Sequence, residues 1–188
     1  MIKLGYALCG SFCTIDNSIN EIKRLTNMNY DIYPILSPIV CQTDTRFGKA
    51  QDIVNEIEKI TKHKIISRIE EAEPIGPKKM FDVLAVCPCT SNTLAKLAYG
   101  ITDTSVTMAV KSHIRNNRPV VIALATNDAL GASSKNIGML LNQKNYYFVP
   151  FSQDDPVAKE RSMIADFGLL EATINGALNS KQIVPIIK

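Results

Sequence analysis

Apolar and polar positions along this chain fall into blocks that alternate between strand-like and helix-like spacing. Residues 2–9 form a short, mostly apolar run that ends in the turn Gly10-Ser11-Phe12-Cys13-Thr14. Over residues 18–28, apolar Ile19, Ile22 and Leu25 recur at helical spacing. Residues 31–36 predict a second strand, stopped by Ser37-Pro38. Asp44 or Thr45 is expected to cap the next helix, which carries Ile53, Val54, Ile57 and Ile60 along one face. Residues 63–67 are a short β-rich run, and 70–79, with Pro74, Gly76 and Pro77, read as a loop.

The second half follows the same rhythm. Residues 81–86 are apolar almost without interruption, as a strand covered on both faces requires. Helices are predicted over about 92–99 and 103–115, a buried strand over 119–125, a helix over 133–143 and a last strand over 146–149. A final helix is expected over roughly 162–178, with Met163, Phe167, Leu170, Ile174 and Ala177 on its apolar side. Such alternation predicts an α/β fold, one domain over 1–188, with a parallel sheet flanked by helices. Ligands of these folds sit at the carboxyl ends of the strands. That rule brings the loops at 10–14, 37–46, 88–93 and 126–134 to one rim.

Composition narrows the class. Hydrophobic residues are 46% and charged residues 21% of the chain, as in an ordinary globular domain. The net charge of +3 comes from scattered Lys and Arg rather than a stripe with interleaved aromatics, which argues against a nucleic-acid surface. No apolar run approaches the roughly 20 residues of a membrane span, and the N-terminus lacks a signal-peptide pattern. Five cysteines without framework spacing fit reduced thiols in the cytoplasm. Only Cys9 and Cys13 approach the spacing of a zinc-ligand pair, and no second pair accompanies them, so metal binding is disfavoured.

Candidate chemistry concentrates where the 81–86 strand runs into Pro88-Cys89-Thr90-Ser91-Asn92-Thr93 and opens a helix. Free backbone N–H groups and the positive end of a helix dipole meet there, which suits a phosphate, although the same residues are ordinary caps. Gly10-Ser11 offers a tight turn with a hydroxyl, and Ser37 could join the same anion site. Neither a Gly-x-Gly-x-x-Gly pattern nor a P-loop is present, which disfavours a nicotinamide dinucleotide or a nucleoside triphosphate. Together these groups make a mostly neutral pocket that suits one phosphate and a flat polar ring. Arg46 is the charged residue placed to pair with a substrate carboxylate, the alternative being a surface arginine. Asp154 and Asp155 are a candidate carboxylate pair or turn residues, and Lys159 and Arg161 follow in a lid or interface stretch. His63 and His113 read as exposed structural residues rather than general bases.

The segment 88–93, continued by 94–103, resembles the Pro-Ala-Ser-Ala-Asn-Thr-type loop of the homo-oligomeric flavin-containing Cys decarboxylase family. The motif order Gly10-Ser11, Ser37, 88–93, 103–107 and 126–141 matches over essentially the full chain. Thr43-Asp44-Thr45-Arg46-Phe47-Gly48 and Pro150-Phe151-Ser152-Gln153-Asp154-Asp155-Pro156 look most like one branch of that family, made of B-type subunits of a two-part enzyme. By resemblance, members of that branch help to convert a cyclic dihydro- or tetrahydrodipicolinate to pyridine-2,6-dicarboxylate in sporulation, with the NAD(P) site on a partner of the A type.

The resemblance implies a flavodoxin-like or Rossmann-like three-layer fold, FMN, and homo-oligomers (trimers or dodecamers), with no nucleic-acid or membrane partner. It places Gly10, Ser11 and Ser37 near the FMN phosphate, with Thr90, Ser91, Asn92 and Thr93 along the phosphate, ribityl chain and ring edge. Thr107 would approach from the next helix, and Thr126 and Asn127 would border the ring. The family also contains decarboxylases and flavin prenyltransferases, and a non-catalytic stabilising role is a further alternative. The decarboxylases' Pro-x-Met-Asn segment is absent, and the prenyltransferases' Arg and Glu are missing from the loop that begins at Ala125.

Overall fold

A computed structural model describes residues 1–188. Strand β1 (Ile2–Leu8) lies between β2 (Tyr30–Leu36) and β3 (Val83–Cys89), parallel to both. β4 (Val120–Thr126) pairs with β3, and β5 (Tyr146–Phe148) pairs with the first half of β4. The parallel core therefore runs β2-β1-β3-β4-β5, the flavodoxin-like order. The chain steps one way from β1 to β2 and the other way from β3 to β4. Right-handed crossovers then put α1 (Ile15–Asn27) on one face and α5 (Ser91–Tyr99) with α6 (Ser105–Ile114) on the other. The crevice between the ends of β1 and β3 is the point where the order reverses.

The apolar runs end up where their patterning requires. All seven residues of β3 are buried, and the buried side chains form one continuous cluster from Leu4 to Ala177. On α1 the predicted positions Ile19, Ile22 and Leu25 face that cluster. Between β2 and β3 lie α2 (Pro38–Gln42), α3 (Ala50–Thr61) and α4 (Ile69–Ala72). α7 (Ser134–Leu141) links β4 to β5. No helix is long and apolar enough to cross a membrane.

β3 departs from a regular ladder just before the site. Its register against β4 shifts between Val86, opposite Ile122, and Cys89, opposite Leu124. Pro88 has no N–H to give, and a bulge is where a central strand tolerates proline. The freed carbonyls are taken up elsewhere. The Cys87 carbonyl accepts the Ser18 hydroxyl at 2.6 Å, Ser18 Oγ accepts from the Tyr6 hydroxyl at 3.0 Å, and the Pro88 carbonyl accepts the Cys9 N–H at 3.3 Å.

The structure departs from several expectations. The last predicted helix divides into β7 (Met163–Ala165), a 3-10 turn (Phe167–Leu169) and α8 (Leu170–Leu178). Met163 and Ala165 are buried while Ile164 is half-buried, a strand's period of two, and Asp166 caps the turn by accepting the Gly168 N–H at 3.2 Å. β7 runs antiparallel to the end of β4, and β6 (Phe151–Ser152) pairs with it, so the sheet is mostly rather than wholly parallel. The helix expected to start beside Asp44 or Thr45 begins at Ala50. Asp44 still accepts the Ala50 N–H at 2.9 Å, whereas Thr45 closes a tight turn with Gly48, whose φ of 146° favours glycine. Within the run 63–67, only Ile66 bridges to the sheet, at Ile35. The loop expected over 70–79 opens on α4 and a 3-10 turn (Glu73–Ile75), because Glu71 accepts the Ser67 and Arg68 N–H groups and starts a helix there. Finally, His113 is 1% exposed rather than at the surface, and its Nε2 donates to the Pro119 carbonyl at 3.1 Å.

Burial lowers the His113 pKa to about 4, overriding the hydrogen bond to Pro119. A histidine depressed from about 6.5 contributes stability that is present above the unfolded value and lost as pH falls through that window. Unfolding free energy should therefore drop by about 3 kcal/mol between pH 7 and pH 4 on this account, and urea titrations of His113→Gln should show that slope flattened. Glycines supply a second test. A Cβ on Gly76 would lie 2.5 Å from the Ser112 carbonyl oxygen, whereas one on Gly138 in α7 meets nothing within 4 Å. Gly76→Ala should cost about 1–3 kcal/mol and Gly138→Ala should add about 0.5–1 kcal/mol by denaturant unfolding.

Candidate functional site: a cleft at the ends of β1, β3 and β4

Three strand ends and two further loops enclose a cleft of about 620 Å³. Its floor is built from residues 10–14 after β1, Thr90 and Ser91 after β3, and residues 125–128 at the end of β4. Arg46 and Phe47 form one wall from the turn after α2, and Asp154, Lys159 and Ile164 close the other from the β6–β7 hairpin. All four loops predicted to share a rim contribute to it. The hairpin reaches the site because β7 pairs with Ala125 and Thr126, the last residues of β4.

The floor carries no cation, is rich in donors, and has Asp128 as its one charged side chain. Thr90 caps α5, its Oγ1 accepting the Thr93 N–H at 3.4 Å. The amides of Ser91 and Asn92, in the first turn, have no intrahelical partner, and the helix dipole adds positive potential there. Ser11 opens the 3-10 turn (Phe12–Thr14) that leads into α1. The Thr14 hydroxyl reaches both the Ser11 carbonyl, at 2.9 Å, and the Ser11 hydroxyl, at 3.0 Å. Gly10 is held close to the next loop, since a Cβ there would lie 2.9 Å from Ile39 Cγ2. Thr126 Oγ1 accepts the Asp128 N–H at 3.1 Å, and Asn127 Oδ1 accepts the Ser162 hydroxyl at 3.3 Å.

The candidate residues separate on this map. Gly10, Ser11, Arg46, Thr90, Ser91, Thr126 and Asn127 line the cleft together. Asn92 is exposed one residue beyond it on α5, while Thr93 is buried against the Cys9 thiol, which burial pushes up to about 11 despite bonds to Thr93 and Thr90. Ser37, at the end of β2, lies behind the lining. It is 7% exposed, and its hydroxyl has no hydrogen-bond partner in the protein. Thr107 is turned elsewhere. Its hydroxyl accepts the Thr104 N–H at 3.0 Å in a capping box for α6, and the residue borders a second cavity of about 340 Å³ beside α5.

Sequence reasoning placed Phe12 and Asp128 only as members of rim loops, and missed Asn17, Phe47 and Ile164 as cleft residues. Phe47 sits beside Arg46, whose guanidinium stacks 4.8 Å above its ring, and Ile164 was hidden by the helix reading of its segment. Asp155 turns away to accept the Val157 and Ala158 N–H groups, so it does not pair with Asp154. Neither histidine lines the cleft. His63 instead meets Asp31 at 2.6 Å and stacks on Tyr33.

The profile described as Flavoprotein matches residues 2–178. The chain belongs to the Flavoprotein family. Among relatives in this family, the chain is 43% identical to the B subunit of dipicolinate synthase from Bacillus subtilis strain 168 over 185 residues, 98% of this chain and 92% of that protein. A crystal structure of the dipicolinate synthase B subunit from Bacillus halodurans superposes with a TM-score of 0.91 at 37% identity, covering 100% of this chain and 96% of that one. The FMN complex of DmrB from Burkholderia xenovorans shares the Flavoprotein fold, with a TM-score of 0.68 at 17% identity, covering 95% and 96% of the two chains.

The thiols of this Flavoprotein differ sharply in access. Cys13 is exposed at the cleft mouth, whereas Cys9, Cys87 and Cys89 are fully buried, and burial raises Cys41 to about 11 and Cys87 to about 12. A disulfide reagent at pH 8 should react rapidly with one thiol per chain, and Cys13→Ser should remove that fast phase while leaving the slow ones.

Proposed function

We propose that this chain acts in the cytoplasm as the B-type component of a dipicolinate synthase. In this reading it is part of an oxidoreductase that, with the NAD(P)-binding A subunit of dipicolinate synthase, turns a dihydro- or tetrahydrodipicolinate into pyridine-2,6-dicarboxylate for sporulation. The observation that carries the reading is 43% identity along 98% of the chain to a protein of that name. The cleft is chemically consistent with it, since the hydroxyls and amides of the Gly10 and Thr90 turns suit a phosphate and a flat ring.

FMN is the cofactor this reading assigns. The residues fit its phosphate. The buried, unpartnered Ser37 hydroxyl is a group that costs about 1–3 kcal/mol until an acceptor or donor satisfies it. The Ser37 backbone N–H donates to the Leu8 carbonyl at 3.0 Å, which holds the residue at the end of β1. Gly10, Ser11, Ser37, Thr90 and Ser91, with Asn92 and Thr93 in the same turn, would hold the phosphate and ribityl chain, and Thr126 and Asn127 would border the ring. Thr107 would contribute indirectly, by fixing the start of α6. When bound, the flavin supplies a two-electron acceptor next to the substrate pocket. The chain's own residues orient the ring and keep the pocket's polar groups paired.

Exposed Ile101 in the lining of the second cavity, with exposed Tyr99 at the end of α5, gives a face for further copies, in keeping with the trimer or dodecamer assigned by resemblance. Decarboxylase or prenyltransferase activity is the less favoured reading, because both histidines are engaged away from the cleft and no glutamate lines it. A purely stabilising role is the alternative that the assay separates.

Purified protein mixed with the A subunit should form pyridine-2,6-dicarboxylate faster than the A subunit does alone; an unchanged rate would refute the catalytic reading. Ser91→Asp gives the complementary test of the cofactor. A carboxylate in the first turn of α5 favours the helix dipole yet repels a phosphate, so FMN affinity should fall at least about tenfold while riboflavin affinity holds. Fluorescence quenching on titration reads both.

A further inference from the structure

Two cations reach the cleft from unrelated parts of the fold, and they stand in different electrostatic states. Arg46 occupies the tip of the Thr45–Gly48 turn, which two backbone hydrogen bonds of 3.0 and 3.1 Å close. It makes no ion pair, and its guanidinium rests on the Phe47 ring, which fixes the plane of the fork while leaving its N–H groups free. Lys159 comes from the β6–β7 connection, with Nζ 2.9 Å from Asp154 Oδ2. That connection is cross-tied rather than loose, because the Lys159 N–H donates to the Asp155 carbonyl at 2.8 Å and Gln153 Nε2 donates to the Glu160 carbonyl at 2.8 Å. Of the cleft's two carboxylates, Asp128 is used up within its own loop by Ala132 and Ser133. Asp154 is the other. Partial burial pushes its carboxyl up, but polar contact with Ser162 and the hydrogen bond from Lys159 outweigh this and hold it below the ordinary range.

With no cation in the floor, attraction of anionic ligands by full charge falls to these rim residues. A ring bearing one carboxylate needs one cation; a ring with carboxylates on both flanks of its nitrogen needs two, on separate walls. We propose that Arg46 and Lys159 are the two poles of a dicarboxylate clamp, and that Asp154 holds Lys159 in the place the substrate's second carboxylate will take. This deepens the reading of the chain as a B-type component and rests on it. Arg46 offers a bidentate fork to one carboxylate, and Lys159 offers a point charge to the other. An exposed ion pair such as Lys159–Asp154 contributes only about 0–1 kcal/mol, so exchanging Asp154 for a ligand carboxylate costs little. The gain lies in selectivity. A monocarboxylate leaves Lys159 with Asp154 and draws on Arg46 alone.

Calorimetric titration of the FMN-loaded full chain with pyridine-2,6-dicarboxylate and with pyridine-2-carboxylate tests the clamp. The native protein should prefer the dicarboxylate by about tenfold or more. Arg46→Gln should weaken both ligands, Lys159→Gln should weaken only the dicarboxylate, and Asp154→Asn should strengthen the dicarboxylate by about threefold or more by releasing Lys159. Unchanged FMN affinity in each variant certifies the fold. Equal affinity for the two ligands in the native protein, or native dicarboxylate affinity in Arg46→Gln and Lys159→Gln, overturns the clamp. The assay with the A subunit keeps the two ideas apart. Product formation with an unaltered KM in both variants removes the clamp and leaves the dipicolinate synthase reading standing, whereas no product from the native pair removes that reading itself.

Discussion

The cleft exists because β1 and β3 end side by side at a place where β3 cannot continue its ladder. Pro88 withdraws one donor from the central strand, the register against β4 slips, and the Cys87 carbonyl is left facing α1. Ser18 takes that carbonyl at 2.6 Å and is itself hydrogen-bonded by the buried Tyr6 hydroxyl. Leaving such a carbonyl unpaired in a dry core would cost about 1–3 kcal/mol, so the network is what makes the bulge tolerable. It also ties α1, β1 and β3 together directly beneath the Gly10 and Thr90 turns. The Cys9 N–H to Pro88 carbonyl bond completes the tie at the site itself. A rigid floor follows from a defect in the strand, which is a recurrent use of bulges next to binding sites.

Much of this arrangement was legible in the residues. β3 and β4 are buried on both faces, so their apolar runs are unbroken, and their starts fall within one or two positions of the predicted ones. Carboxyl-end loops of a parallel sheet gather by topology alone, which is why Gly10, Ser11, Thr90, Ser91, Thr126 and Asn127 were found together without any knowledge of side-chain contacts. The residues that escaped did so for a different reason. β6 and β7 have two and three residues, and what makes β7 a strand is pairing with Ala125 and Thr126, almost forty positions away along the chain. No local period reports such a contact. The apolar spacing of Met163, Phe167 and Leu170 fits a helix equally well, and only the Asp166 cap and Gly168 hint at the break. His113 was misplaced by its charged neighbours Lys111 and Arg115, although Ala109, Val110 and Ser112 around it are all buried.

Thr93 and Thr107 show a second limit of motif reading. Both are hydroxyls in the right loops, yet both are taken up inside the protein, Thr93 by the Thr90 hydroxyl at 3.4 Å and the Cys9 thiol, Thr107 by the Thr104 capping box. A polar side chain at a helix start has two possible customers, the backbone amides and a ligand. Its rotamer decides between them, and spacing does not encode the rotamer. Ser37 is the opposite case. It occupies the N-cap of α2 but makes no cap bond, and its buried hydroxyl finds nothing else in the protein. Capping would be easy there and is not made, so the hydroxyl stays unsatisfied within the protein.

In the proposed reading, floor and rim divide the work of recognition. The floor offers amide dipoles and hydroxyls, which bind an anion without a fixed positive charge and so keep the pocket suited to an uncharged ring lying above it. The rim carries full charges on arms anchored to separate loops, Arg46 through the Gly48 turn and Lys159 through the β6–β7 hairpin. Had a cation been built into the floor, it would have competed with the rim for any anionic ligand and blurred the distinction between cofactor and substrate. Dipoles fall off faster with distance than charges do, so the floor's amides and hydroxyls act only on a group in contact with them. The charged rim acts further out, at the mouth, on what arrives next.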